Sequence, residues 1–185
     1  MNSLAEYFSH AAELYRALDF EKLARVTAAL ERARAENRRV FVFGNGGSAA
    51  TASHFACDLG KGTIQPHLPR VKVICLNDNL PTLTAYANDV GFDAIFSEPL
   101  ISLSERGDLA LAFSASGNSP NIIRALQAAR ARGLLTIGFS GFTGGKLAEL
   151  ADIHVHVPSH SYGHVEDVHL AMCHAICETL KIAHK

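Results

Sequence analysis

Apolar positions along this chain change their period after the first 36 residues. Through residues 4–36 they recur at helical spacing, with Leu4, Phe8, Ala11, Ala12, Leu14, Tyr15 and Leu18 on one face. Leu23, Val26, Leu30 and Ala33 mark a second helix within Glu21–Glu36. From there, short continuous apolar runs alternate with helical patterns. The runs Arg39–Phe43, Val71–Leu76, Leu109–Ser114, Leu134–Phe139 and Ile153–Val157 predict strands buried on both faces of a parallel sheet. Helical spacing predicts helices over Ser48–Leu59, Leu80–Asn88, Asp93–Ser104, Asn118–Arg132 and Gly145–Leu150, and a last amphipathic helix over about Val165–Ala183. Alternation of this kind puts helices on both faces of the sheet. The expected fold is α/β, a three-layer αβα sandwich with a five-stranded parallel sheet, flavodoxin- or Rossmann-like. It forms a single domain over 1–185, with N-terminal helices over 1–37 and the αβα core with its long C-terminal helix over 38–185.

Composition narrows the partner. With 185 residues, 48% of them hydrophobic, and a formal net charge of −1, the chain lacks the basic footprint of a nucleic-acid binder. A small molecule is the expected ligand. No apolar run approaches the roughly 20 residues of a membrane span, and Met1-Asn2-Ser3-Leu4-Ala5-Glu6 lacks a basic stretch followed by an apolar one, so a cytoplasmic protein is expected. The four cysteines (Cys57, Cys75, Cys173 and Cys177) lie inside apolar patterns without CxxC spacing and read as reduced core residues. Of ten histidines, His10, His67, His156, His160 and His184 fall where exposed or loop positions are expected, as does His164.

Two strand-to-helix loops carry the candidate chemistry. Val40-Phe41-Val42-Phe43 runs into Gly44-Asn45-Gly46-Gly47-Ser48 and then into a helix, which presents bare N–H groups and a positive dipole end to an anion. Ser114-Ala115-Ser116-Gly117-Asn118-Ser119-Pro120-Asn121 does the same after a later strand, with three hydroxyls and a Pro near the first turn. Either loop alone is explained by capping, whereas two on one sheet edge point to a phosphate. The pattern is not GxxxxGK[ST], so a sugar phosphate is expected rather than a nucleoside triphosphate.

These two loops together resemble the paired signatures of the sugar isomerase (SIS) domain. The resemblance continues through Ala87-Asn88-Asp89, Gly141 to Lys146, Val157-Pro158 and Val165 to Leu170, and within that superfamily it is nearest to the single-domain phosphoheptose isomerases. It implies a SIS-type fold and an aldose–ketose isomerisation of sedoheptulose 7-phosphate to D-glycero-D-manno-heptose 7-phosphate. It also implies a homotetramer with active sites between subunits. Carried onto this chain, it places the phosphate at Ser48, Ser114, Ser116 and Ser119, with Asn45, Gly46, Gly47, Ala115, Asn88 and Asp89 completing the substrate site.

Such a reaction moves a proton between neighbouring carbons through an enediol, so it needs a base, an acid and a stabiliser for the developing oxyanion. His54 and Asp58 lie four apart on one helix face, while Glu166 and His174 lie eight apart on the last helix, roughly 12 Å of rise. The family resemblance implies Zn2+ held by His54, Asp58, Glu166 and His174. It also implies acid–base roles for His174 and for Asp58 or Glu166. Two of these positions depart from the family, which has Glu where this chain has Asp58 and Gln where it has Glu166. The plainer readings are a surface His–Asp pair and, for His169, a satisfied core histidine. Another class of function, a sugar-phosphate sensor or a tetrameric scaffold for a replication initiator, occurs among SIS relatives. Retention of Asp58 and His174 favours the enzyme.

Overall fold

The computed structural model describes residues 3–182. In chain order the elements are α1 (Leu4–Arg16), α2 (Phe20–Ala35), β1 (Arg39–Gly44), α3 (Gly47–Cys57), β2 (Lys72–Cys75), α4 (Leu80–Asp89), α5 (Ser97–Leu103), β3 (Leu109–Ser114), α6 (Pro120–Ala131), β4 (Leu135–Ser140), α7 (Leu147–Leu150), β5 (Ile153–His156) and α8 (Tyr162–Ile182). Local chemistry starts several of them. Ser3 and Glu6 close a capping box on α1, Asp19 accepts from Lys22 N–H at α2, and Asn79 accepts from Thr82 N–H at α4.

All strand pairs are parallel, and the sheet runs β2-β1-β3-β4-β5, the flavodoxin-like order. Period-two alternation splits the core into two layers. Val40, Val42, Leu109, Leu111 and Phe113 pack with α2, α3 and α8, while Phe41, Phe43, Ala110 and Ala112 pack with α5, α6 and α7. Tyr7 donates from its hydroxyl to Asp167 at 2.6 Å, and His164 Nε2–H donates to the Tyr7 carbonyl at 3.0 Å, which ties α1 to the start of α8. Among the described residues no helix is long and apolar enough to cross a membrane.

The expected elements are present, with differences at their ends. The helix expected over Gly145–Leu150 shrinks to α7 because Gly144 and Gly145 hold positive φ, at 85° and 55°. The stretch Asp93–Ser104 breaks into a tight turn at Phe92–Ala94 and then α5. Helix α8 starts three residues earlier than expected, so His164 is a buried helical residue rather than a loop residue. His156 is a half-buried strand residue whose Nε2–H donates to the Phe142 carbonyl at 3.0 Å. Cys173 and Cys177 are buried as expected, but Cys57 is exposed, because the last turn of α3 presents it away from the sheet. Ala183 and His184 lie outside the described residues.

Candidate active site at the switch point of the sheet

Strands β1 and β3 are neighbours, yet their chains leave for opposite faces of the sheet, α3 on one side and α6 on the other. The crevice between such exits is where open α/β sheets take ligands. Helix α3 opens at Gly46, with φ 57° and ψ −124° and no side-chain cap. Its first intrahelical acceptor, the Gly46 carbonyl, serves Ala49 and Ala50, so the Gly47 and Ser48 N–H groups remain for a ligand. Helix α6 opens at Ser119, whose hydroxyl makes no cap bond, and Pro120 follows. Capping therefore does not account for Ser119. Two uncapped helix N-termini face one crevice, the arrangement an anion needs.

Ser48 and Ser114 are nearly buried where the loops converge, and Ser116 Oγ accepts from Asn118 N–H at 3.3 Å. The loop after β4 supports the second anion loop from behind. Leu147 N–H donates to the Gly117 carbonyl at 2.9 Å, Lys146 N–H to Asn118 Oδ1 at 3.0 Å, and Gly141 N–H to the Ala115 carbonyl at 2.9 Å. Gly117, at φ 65°, crosses Gly144 so closely that any Cβ would strike its carbonyl. Asn45, Gly46, Gly47, Ser48, Ser114, Ala115, Ser116 and Ser119 thus come together. Asn88 and Asp89 do not: they end the ten-residue α4, about 12–14 Å of rise from its start at the crevice edge, and bond each other at 2.7 Å.

A second cluster lies two turns down α3. His54 Nε2 is 3.4 Å from Asp58 Oδ2, His174 Nε2 is 3.8 Å from the same oxygen, and the two Nε2 atoms are 3.3 Å apart. The chain widens into a single π-type turn at Asp58–Gly62, immediately after α3, and even the shorter Asp side chain meets both imidazoles. These three ligand atoms could hold a metal ion. Bonds of about 2.0–2.1 Å in tetrahedral geometry place ligand atoms about 3.4 Å apart, which these spacings match.

Glu166 does not join that cluster. Its carboxylate lies against Gly47 instead, so close that a Cβ on Gly47 would meet Cδ and both oxygens at no more than 2.5 Å. The thiols beside His174 stay protonated: burial pushes Cys177 up to about 12, with Asp58 adding to the effect, and burial raises Cys173 also. His169 is fully buried beside the Phe113 and Phe139 rings, donates from Nε2 to the Ser140 carbonyl at 3.2 Å, and is held down to about 4 by burial. It is a core histidine.

A SIS domain family model matches residues 6–141. A phosphoheptose isomerase from a Bradyrhizobium species is 41% identical over 178 residues, 95% of this chain and 89% of that one. The chain belongs to the phosphoheptose isomerase family of SIS-domain proteins. Among solved structures, the phosphoheptose isomerase of Neisseria gonorrhoeae superposes with a TM-score of 0.89 at 28% identity, covering 96% of each chain. That of Francisella tularensis gives the same TM-score and identity over 98% of this chain and 99% of that one.

Two residues that hold the anion loops in this phosphoheptose isomerase family member are not among the expected site residues. Asn77, just after β2, donates from Nδ2 to the Gly44 carbonyl at 2.9 Å and accepts from Gly44 N–H at 3.2 Å. Asn121, in the first turn of α6, exchanges reciprocal amide bonds with Asn45, both 2.9 Å. The sequence offers no local signal for Asn77, and Asn121 reads as an ordinary residue of a helix start.

Proposed function

We propose that this chain isomerises sedoheptulose 7-phosphate to D-glycero-D-manno-heptose 7-phosphate through an enediol. The observation that carries the reading is the convergence of His54, Asp58 and His174 about seven residues, roughly 10 Å, down α3 from the phosphate crevice. That is a fitting reach for a phosphorylated seven-carbon chain. The phosphate sits between the first turns of α3 and α6, with Ser48, Ser114, Ser116 and Ser119 supplying hydroxyls.

Base and acid must flank the same carbon pair. Asp58 and His174 are 3.8 Å apart, whereas Glu166 is two turns from His174, so Asp58 takes the carbon-bound proton and His174 delivers one to the other side of the enediol. Glu166, beside Gly47, faces the hydroxyls between the phosphate and the reacting carbons. His54, Asp58 and His174 fit a zinc ion, which when bound supplies positive charge for the developing oxyanion. Buried free thiols fit a reducing compartment, the cytoplasm. Helix α4 buries no side chain fully, with Leu83, Tyr86 and Ala87 only partly covered, and leaves Leu80 exposed, with Val90 and Phe92 exposed just beyond its end. This supports a homotetramer in which Asn88 and Asp89 serve a neighbouring copy's site.

Incubation with sedoheptulose 7-phosphate, followed by detection of the aldose, tests the reading. Turnover is expected in the wild type. In His174→Gln it is expected to be lost with substrate binding retained. Binding without turnover, with and without added zinc, overturns the reaction and leaves a sensor.

A further inference from the structure

We infer that Asn77, Asn45 and Asn121 form a brace that sets the gap between the two anion loops, with Asn77 and Asn121 acting as positioning residues. The inference rests on the proposed use of those loops for a phosphate. Backbone pairing between β1 and β3 ends at Gly44 opposite Phe113. Beyond that point the chains part toward opposite faces, and no strand ladder holds the crevice at one width.

Side-chain amides take over where the ladder stops. On one flank, Asn77 satisfies both the N–H and the carbonyl of Gly44, continuing by a side chain the β1–β2 pairing whose last backbone bond runs from Leu76 N–H to the Val42 carbonyl at 2.9 Å. On the other flank, Asn45 and Asn121 exchange two bonds. Among the described residues no other side-chain hydrogen bond joins residues 44–48 to residues 114–121. The rotamer of Asn121 is itself fixed, because its Oδ1 also accepts from Ile122 N–H at 2.9 Å and the residue is only 1% exposed.

The residue type follows from the chemistry. Two facing amides pair reciprocally because each carries a donor and an acceptor on one plane. Asp at 121 would set two acceptors against each other and add a negative charge beside the phosphate. Ala would leave the half-buried Asn45 amide short of a partner. Ser48 and Ser119 sit three and two residues from the braced amides of Asn45 and Asn121, so a shift of either loop moves a phosphate-binding hydroxyl.

The test uses Asn121→Ala, Asn121→Asp and Asn77→Ser in the full chain. Thermal unfolding, KM and kcat for sedoheptulose 7-phosphate, and calorimetric titration with inorganic phosphate are measured together. Phosphate affinity is expected to fall and KM to rise at least tenfold, with kcat changed much less. Asn45→Ala combined with Asn121→Ala should be no worse than the worse single change, because both break one pair. Lower melting temperatures with unchanged KM and phosphate affinity overturn the brace, as do additive effects. If the Asn121 variants do not fold, Asn77→Ser, half-buried at the flank, decides by the same readouts. Wild-type protein that binds phosphate without turning over the ketose overturns the proposed reaction but not the brace, which then stands or falls on the variants' phosphate affinity. Wild-type protein that binds no phosphate overturns the brace, and overturns the proposed reaction as well only where turnover of the ketose is also absent.

Discussion

Gly47→Ala should separate stability from activity. Gly47 is the first residue of α3 and does not hold a positive φ, so alanine is conformationally acceptable there and favours the helix by up to about 1 kcal/mol. The space its methyl needs, however, is filled by the Glu166 carboxylate, whose atoms lie within 2.5 Å of the Cβ position. Ordinary contact begins near 3.4 Å, so the carboxylate must retreat by about 1 Å. It sits at the end of a flexible side chain, and the fold accommodates this cheaply. A displacement of that size in a positioned group costs on the order of a hundredfold in rate, about 2.7 kcal/mol of transition-state stabilisation. Thermal unfolding should therefore be unchanged or slightly higher, while kcat/KM falls about a hundredfold. The same substitution in a Glu166→Ala background should have little further effect, since the group it displaces is gone. Full activity in Gly47→Ala, or an equal loss in both backgrounds, would refute the placement of Glu166 at the substrate.

The metal cluster gives a second discrimination. In untagged protein, His54→Ala should lose bound zinc while Glu166→Ala keeps it, measured by metal analysis; equal loss would restore Glu166 as a ligand. Arg34 is 3% exposed, and its three guanidinium nitrogens have no hydrogen-bond partner among the described residues. Arg34→Met should raise stability by about 1–3 kcal/mol, read as a higher melting temperature, because it removes an unpaired buried charge. A fall of several degrees would mean that the charge is paired in the assembled protein. Acid stability follows from His154 and His169, both held down to about 4 chiefly by burial. The unfolded chain binds protons at these sites from about 6.5 downward and the folded chain does not, so stability is lost as pH falls from about 6.5 to 4. Denaturant titrations should show a shallower loss across that window in His169→Leu, and an unchanged slope would refute the assignment.

The legible parts of this protein are those whose chemistry is local in the chain. A strand that stops at Gly44 and restarts as a helix after Gly47 declares an anion-binding backbone by itself, and Ser114 to Ser119 repeats the statement. Alternating elements gave the parallel sheet, because burial on both faces imposes continuous apolar runs. Pairings across the chain were not legible. Asn77 meets Gly44 across 33 positions and Asn121 meets Asn45 across 76, and an asparagine after a strand or in a first helical turn looks the same whether or not it has such a partner. Glu166 lies between these cases. Its eight-residue spacing from His174 already set the two apart on α8, yet only the packing of α8 alongside α3 decides what it meets instead. Because Gly47 lacks a side chain, the carboxylate can rest directly on the phosphate loop. The same glycine that bares the backbone to an anion thus also admits Glu166, and a Cβ there would displace the carboxylate.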